Sequence, residues 1–266
     1  MQAGSLDQKS WARFRFEKEQ MSKPEQKVVA IIPAAGAGVR MGGKEAKQFL
    51  EIHGKPILAL TLERFQLSPA VHAIVAVVPA GQVDFCRTEI VEKYRLTKVV
   101  KVIAGGERRQ DSVRLGIEAS EGLFEIVLIH DGVRPFIEEP LIGRVVTAAT
   151  MHRVVIAALP AKETVKEVDE RGFVVKTHDR KSLWLVQTPQ AFRYEDILKA
   201  HRVAFEQGWE EVTDDALLIE KMGIPIKVIE GSQSNIKITT PYDLEIARSF
   251  LKRQGKAEWL GEKLNH

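Results

Sequence analysis

Six short apolar runs, most of them separated by stretches of helical period, constrain the fold of this chain more than any other feature. They are VVAII at 28–32, AIVAVV at 73–78, KVVKVI at 98–103, IVLIH at 126–130, VVIAAL at 154–159 and IKVIE at 226–230. Each is near-continuously apolar, which is the pattern of strands buried on both faces of a parallel sheet. Between them, ILALTLERFQL places Ile57, Leu58, Thr61, Leu62 and Phe65 on one stripe, and SVRLGIEAS and LIGRVVTAAT have the same helical spacing. This alternation predicts an α/β fold, a mostly parallel sheet with helices on both faces. The last helix opens at Thr240-Pro241-Tyr242-Asp243, an N-cap, a proline at the first helical position and an acid three residues on.

One segment breaks the alternation. KETVKEVDERGFVVKTHDR, 162–180, has period-2 spacing around Asp169-Glu170-Arg171-Gly172 and little apolar content on one face. It predicts a polar hairpin that protrudes as an arm, over about 160–182, toward a partner subunit. No linker divides the rest, so the reading is one domain over 27–255, an N-terminal extension over 1–26 and a charged tail over 256–266. The extension carries Trp11, Phe14 and Lys18 without sustained periodicity and is expected to fray, with Met21 a candidate natural start.

A hydrophobic fraction of 44% and a charged fraction of 28% are those of an ordinary globular chain, which argues against both disorder and a membrane protein. The net charge of +3 suits an anionic small molecule, and without a clustered basic face it does not suggest nucleic acid. The single cysteine, Cys86, cannot form an internal disulfide, and the N-terminus lacks the apolar core of a signal peptide. A cytoplasmic protein is expected.

In an open parallel sheet, ligands collect beyond the carboxyl ends of the strands. The loop IIPAAGAGVRMGGKEAKQFL, 31–50, offers glycines for close backbone approach to phosphate, followed by Arg40, Lys44 and Lys47. Its glycines miss the dinucleotide spacing, and Glu45 stands where a P-loop needs Ser or Thr. AGGERRQDSV leads into a helix whose N-terminus can receive an anion. In IHDGVRPF, Asp131 is a candidate magnesium ligand, or else the partner of Arg134 in a structural ion pair; His130, one residue earlier, faces the opposite side and is expected to be structural. NIKITTPYD adds Lys237. A backbone cradle, a metal carboxylate and several cations suit phosphoryl or nucleotidyl transfer.

Seven motifs in order, PAAGAGVRMGGKEAKQF, GGERRQDSV, HDGVRPF, KETVK, DRKSLWLVQTPQAF, VTDDALLIEKMG and NIKITTPYDL, resemble those of the 2-C-methyl-D-erythritol 4-phosphate cytidylyltransferases. The resemblance implies a Rossmann-like, GT-A-like nucleotidyltransferase fold and a homodimer with exchanged arms. It implies a magnesium-dependent (or other divalent cation) reaction of CTP with methylerythritol phosphate that gives the CDP-alcohol and pyrophosphate on the route to isoprenoids. Residue by residue, it puts the loop from Ala34 through Ala35, Gly36 and Gly38 to Arg40, with Lys47, around the CTP phosphates. Arg40 and Lys47 then stabilise charge at the α-phosphate, and Lys237 makes a further phosphate contact. Ala34, Ala35, Gly106, Glu107 and Ser112 fall at cytosine and ribose positions and Asp131 at the metal. Thr164 and Arg180 grip the acceptor phosphate, with Thr188 and Thr213 near the same pocket, and Arg134 is assigned to substrate binding.

The chain departs from the family pattern at Ala46, where proline commonly precedes the Lys-Gln pair, and at Ser234, where an acidic residue often stands. Two alternatives are weighed. A ribitol-5-phosphate cytidylyltransferase shares several motifs and differs in acceptor, and the Asp179-Arg180 pair favours methylerythritol phosphate. A silent nucleotide-binding regulator is expected to lack Arg40, Lys47 or Asp131, and all three are present.

Overall fold

The computed structural model describes residues 26–36, 46–210 and 212–250. Among these, the strands run β1 Val28–Pro33, β2 Glu51–Ile52, β3 Lys55–Pro56, β4 Ala73–Val78, β5 Val99–Ala104, β6 Ile126–Ile129, β7 Val154–Pro160, β8 Lys166–Val168, β9 Val174–Thr177, β10 Trp184–Arg193 and β11 Lys227–Glu230. The principal helices are α1 Ile57–Leu67, α2 Arg109–Ala119, α3 Glu139–Met151, α4 Tyr194–Glu206 and α5 Asp215–Lys221, and residues 241–250 form α6. The extension before residue 26 and the tail after 250 lie outside the described residues.

The main sheet has the order β11-β7-β10-β6-β1-β4-β5. Its strands pair in parallel except β10, which runs antiparallel between β6 and β7. The period-2 geometry of a strand explains why β1 must be apolar throughout. Val28, Ala30 and Ile32 enter the core beneath α1 and α3, whereas Val29 and Ile31 enter the opposite core beneath α2, α4 and α5. The α1 stripe is buried as its spacing predicts, and Thr61 within it donates its hydroxyl to the carbonyls of Ile57 at 3.0 Å and Gly132 at 3.1 Å. A third, smaller core joins Ile52 and Ile57 to Val133, Phe136 and Ile238, with Leu244 and Ala247 of α6. That cluster anchors the loop carrying Lys237.

Two expectations about the sheet need correction. The runs at 98–103 and 226–230 become edge strands whose residues are half-buried or exposed, because among the described residues no strand pairs with their outer edges, and Lys101 and Lys227 keep charge beside them. The sheet also gains β10, which the apolar-run pattern misses: WLVQTPQAFR mixes polar residues and a proline into a strand that is buried in its second half. Its pairing with β7 shifts register between Val186 and Gln190, and this bulge contains Gln187, Thr188 and the cis Thr188–Pro189 bond.

The hairpin forms as β8 and β9, with Gly172 at φ 82° closing a turn in which the Gly172 N–H donates to the Asp169 carbonyl at 2.9 Å. It is less polar than its sequence pattern suggests. Val168, Phe173, Val174 and Val175 are all exposed, as are Trp184, Leu185 and Val186 at the start of β10.

Candidate active site

The loops after β1, β5 and β6 meet at the carboxyl edge of the sheet, and glycines allow the meeting. A Cβ on Gly105 would overlap Ala35 and come 2.6 Å from Ser112 Oγ, and one on Gly132 would come 2.8 Å from Ala34 Cβ. Both distances are shorter than any real carbon contact, so these positions require glycine for the loops to lie side by side. Hydrogen bonds fix the arrangement: the Ala34 N–H donates to the Val77 carbonyl at 2.7 Å, the Gly105 N–H to the Val78 carbonyl at 2.8 Å and the Gly106 N–H to Ser112 Oγ at 3.2 Å.

Two adjoining cavities open here. The first, about 280 Å³, is bounded by Ala34, Ala35, Gly36, Lys47, Gly106, Glu107 and Ser112. The second, about 410 Å³, is bounded by Arg134, Gln187, Thr188, Gln190 and Thr213, together with α5. Both are of the size and shape class that holds small ligands. Arg109, Asp131 and Lys237 border both cavities.

Asp131 is the charge centre of the shared wall. Its Oδ1 accepts from Arg109 Nε at 3.2 Å, its Oδ2 accepts from Arg134 Nε at 3.1 Å, and Lys237 Nζ lies 3.1 Å from the same oxygen. Burial alone would raise the Asp131 pKa, but Arg109, Lys237 and Arg134 outweigh it and hold the carboxyl far below its usual range. The Asp131–Arg134 pair considered from sequence is therefore present, as part of a larger cluster that also faces both cavities. Arg134 is held in turn by donating from Nη1 to the Asn235 carbonyl at 2.8 Å, and Asn235 Nδ2 donates to the Thr188 carbonyl at 2.7 Å.

His130 faces away from this cluster and is fully buried. The Asp131 N–H donates to Thr188 Oγ1 at 3.1 Å, so the Thr188 hydroxyl is free to donate to His130 Nδ1, also at 3.1 Å. That leaves His130 Nε2 to carry the proton and donate to the Arg134 carbonyl at 3.1 Å. Burial lowers the His130 pKa to about 4 and keeps the ring neutral in this role.

The sequence-derived residues divide into three groups. Ala34, Ala35, Gly36, Lys47, Gly106, Glu107, Ser112, Asp131 and Lys237 come together around the first cavity, and Arg134, Thr188 and Thr213 around the second. Gly38 and Arg40, with Lys44, lie outside the described residues. Thr164 and Arg180 border neither cavity of their own chain; Arg180 donates from Nη1 to the Lys162 carbonyl at 2.8 Å, at the base of the arm. Ser234 is turned toward Glu138, donating to its Oε1 at 2.7 Å.

Sequence reasoning missed Arg109. It stands beside Arg108 in GGERRQDSV, and only the helical phase of α2 separates the pair: Arg108 turns outward to Asp111, with bonds of 2.9 and 3.0 Å, whereas Arg109 turns inward. It also missed Asp215, buried one residue after the α5 cap Asp214, which accepts from the Leu217 N–H at 3.0 Å.

This constellation can neutralise and orient two phosphate-bearing molecules in adjacent compartments. A family model described as 2-C-methyl-D-erythritol 4-phosphate cytidylyltransferase matches residues 28–253. Among curated proteins, the enzyme of that name from Syntrophus aciditrophicus is 48% identical over 228 residues, covering 86% of this chain and 97% of its own. The one from Geobacter metallireducens is 46% identical over 230 residues, covering 85% and 98%. Among solved structures, the 4-diphosphocytidyl-2C-methyl-D-erythritol synthase of Anaerococcus prevotii superposes with a TM-score of 0.76 at 33% identity, covering 86% of this chain and 97% of its own. The match spans the whole sheet and every loop that builds the two cavities, and the chain thus belongs to the 2-C-methyl-D-erythritol 4-phosphate cytidylyltransferase family.

Proposed function

We propose that the first cavity receives CTP and the second methylerythritol phosphate, and that the cytidylyl group passes between them beside Asp131, Arg109 and Lys237. The observation that carries this reading is the shared wall: one ionised carboxylate, Asp131, with two cations, Arg109 and Lys237, bordering both compartments, and a third, Arg134, on the side of the second. An oxygen of the acceptor phosphate bonds to the α-phosphorus of CTP as the bond to the β-phosphate oxygen breaks, and pyrophosphate leaves with that electron pair. Lys47 and Lys237, with Arg40 from the first loop, offset the charge that builds on the α-phosphate. The product is the CDP-alcohol of the methylerythritol phosphate route to isoprenoid precursors.

The donor set fits magnesium. Among the described residues no group of three His, Cys, Asp or Glu side chains is placed to hold a metal, whereas the Asp131 carboxylate, on the wall shared by the two cavities, is held in its ionised form. One carboxylate plus substrate phosphate oxygens is the usual demand of this ion. Bound there, it would add charge neutralisation between the phosphates. With Ser234 engaged by Glu138, Asp131 is the protein's own carboxylate for that purpose.

The exposed apolar side chains of β8, β9 and the start of β10 support a homodimer in which Thr164 and Arg180 reach the partner's acceptor cavity. Among the described residues no helix is long and apolar enough to cross a membrane, in keeping with a cytoplasmic enzyme. The test is pyrophosphate release from CTP with magnesium, comparing methylerythritol phosphate with ribitol 5-phosphate. Release with the first at much higher kcat/KM is expected. Preference for ribitol 5-phosphate would change the acceptor, and no release with either would overturn the assignment.

A further inference from the structure

Behind the wall shared by the cavities, charges continue into the core. Arg109 donates from Nε to Asp131 and from Nη1 to Asp215 Oδ2 at 2.7 Å, so one guanidinium is clamped between carboxylates from the β6 loop and from α5. The Asp215 side chain is 1% exposed, and its other oxygen lies 3.2 Å from Nε2 of His201, a wholly buried residue of α4, at an angle outside hydrogen-bond alignment. A carboxylate at this depth is costly unless cations flank it. Arg108 next door needs no such partner: it pairs with Asp111 at the surface.

The backbone holding Asp215 is itself tied to the site. Gln190, on β10 just past the bulge, donates from Nε2 to Asp214 Oδ2 at 2.7 Å and accepts from the Ala216 N–H at 3.2 Å. Those two bonds bracket Asp215. The same helix borders the second cavity through Ala216, Leu217 and Glu220. Arg109 is thus anchored to the wall of the acceptor compartment while it opens onto both.

We propose that Asp215, backed by His201, is a positioning residue that holds Arg109 at the junction of the two cavities, where the guanidinium meets the transferring phosphate. This rests on the reading of the cavities given above. If Asp131 turns an oxygen to a cation in the loaded enzyme, the bond to Asp215 is what keeps Arg109 from following it. The anchor belongs to α5, so its loss falls on turnover and acceptor use rather than on CTP affinity.

The test compares Asp215→Asn, which keeps the side chain's size and removes its charge, with Arg109→Lys and the double variant. Pyrophosphate release is measured with methylerythritol phosphate varied, CTP–magnesium binding is measured by calorimetry without acceptor, and rates are expressed per folded enzyme. Asp215→Asn should lower kcat roughly 100-fold, as a misplaced catalytic group does, with the Kd for CTP within about threefold of wild type. The double variant should be no slower than Arg109→Lys, since both changes remove one unit. Wild-type kcat in Asp215→Asn, or losses that multiply in the double variant, would overturn the proposal. Should Asp215→Asn fail to fold, Arg109→Lys carries the test, because unchanged turnover there leaves nothing for Asp215 to position. A wild-type chain that releases no pyrophosphate overturns the cavity assignment instead.

Discussion

Lys237 Nζ lies 3.1 Å from Asp131 Oδ2, so a cation from the loop before α6 offsets the carboxylate that ends β6, at residues bordering both cavities. Its side chain is 37% exposed, which leaves it able to turn to a phosphate when substrate arrives. Lys237→Ala is expected to lower kcat by roughly 10²-fold, the usual cost of removing one charge-stabilising donor. Melting temperature should change little. Turnover close to wild type in a pyrophosphate-release assay would remove Lys237 from the phosphate path.

Lys47 borders the first cavity from the short 3-10 turn Lys47–Phe49, whose neighbours Gln48 and Phe49 are buried. That turn fixes the lysine's backbone despite Ala46 standing where the family commonly has proline. Lys47→Ala is predicted to reduce kcat by roughly 10²–10³-fold. A rise in KM for CTP with kcat preserved would mean that Lys47 binds the ground state only.

The neutral His130 gives stability a pH dependence with a defined window. In the unfolded chain an imidazole titrates near ~6.5, and burial lowers the folded value to about 4. Between those values the unfolded state takes up a proton that the folded state refuses, so stability falls as pH drops from ~6.5 to ~4, by at most roughly 3 kcal/mol. The depressed Asp131 acts in a separate window, losing its contribution only as pH falls below the ordinary carboxylate range. Urea unfolding of wild type and His130→Gln across the upper window checks this: the slope against pH should shrink in the variant, and equal slopes would exclude His130 as its source.

Arg180 borders neither cavity of its own chain, which is what an exchanged arm requires. Arg180→Ala is predicted to raise the KM for methylerythritol phosphate at least tenfold while leaving CTP binding intact, an effect of losing a charge-assisted phosphate contact worth about 1.5–3 kcal/mol. Co-expressed with inactive Asp131→Ala, it should restore about a quarter of wild-type activity, because each mixed dimer would assemble one site with both residues intact. No restoration in demonstrably mixed dimers would place Arg180 in the site of its own chain or outside it.

What the sequence reveals follows from which forces act locally. The central strands β1, β4, β6 and β7 are legible because burial on two faces demands unbroken apolar runs. β10 is not, since Gln187, Thr188 and Gln190 occupy it for their hydrogen bonds, with Asn235, Asp131 and Asp214 among the partners, and these are invisible to hydrophobic periodicity. Asp131 and Lys237 stand out at strand ends, where ligand loops are expected. Arg109 does not, because an arginine beside another arginine becomes distinct only when the phase of α2 and a carboxylate 106 positions later are known. The arm is recognisable as a hairpin from its turn, whereas the exposure of its valines depends on what surrounds it.

The placement of β10 also dictates an order of assembly. Strands β5, β4, β1 and β6 form a continuous block before residue 130 has been passed, but β7 finds its sheet partners in β10 and β11, and β6 meets its other neighbour only when β10 arrives. A nascent chain emerging from the ribosome therefore carries the unpaired edge of β6, Ile126–Ile129, until its partners Gln190–Arg193 have been made, about sixty residues later. Such an edge is a template for wrong pairing. The strand that shapes the second cavity thus also closes the sheet during folding, and variants that slow its docking should be recovered as aggregates rather than as soluble, inactive enzyme.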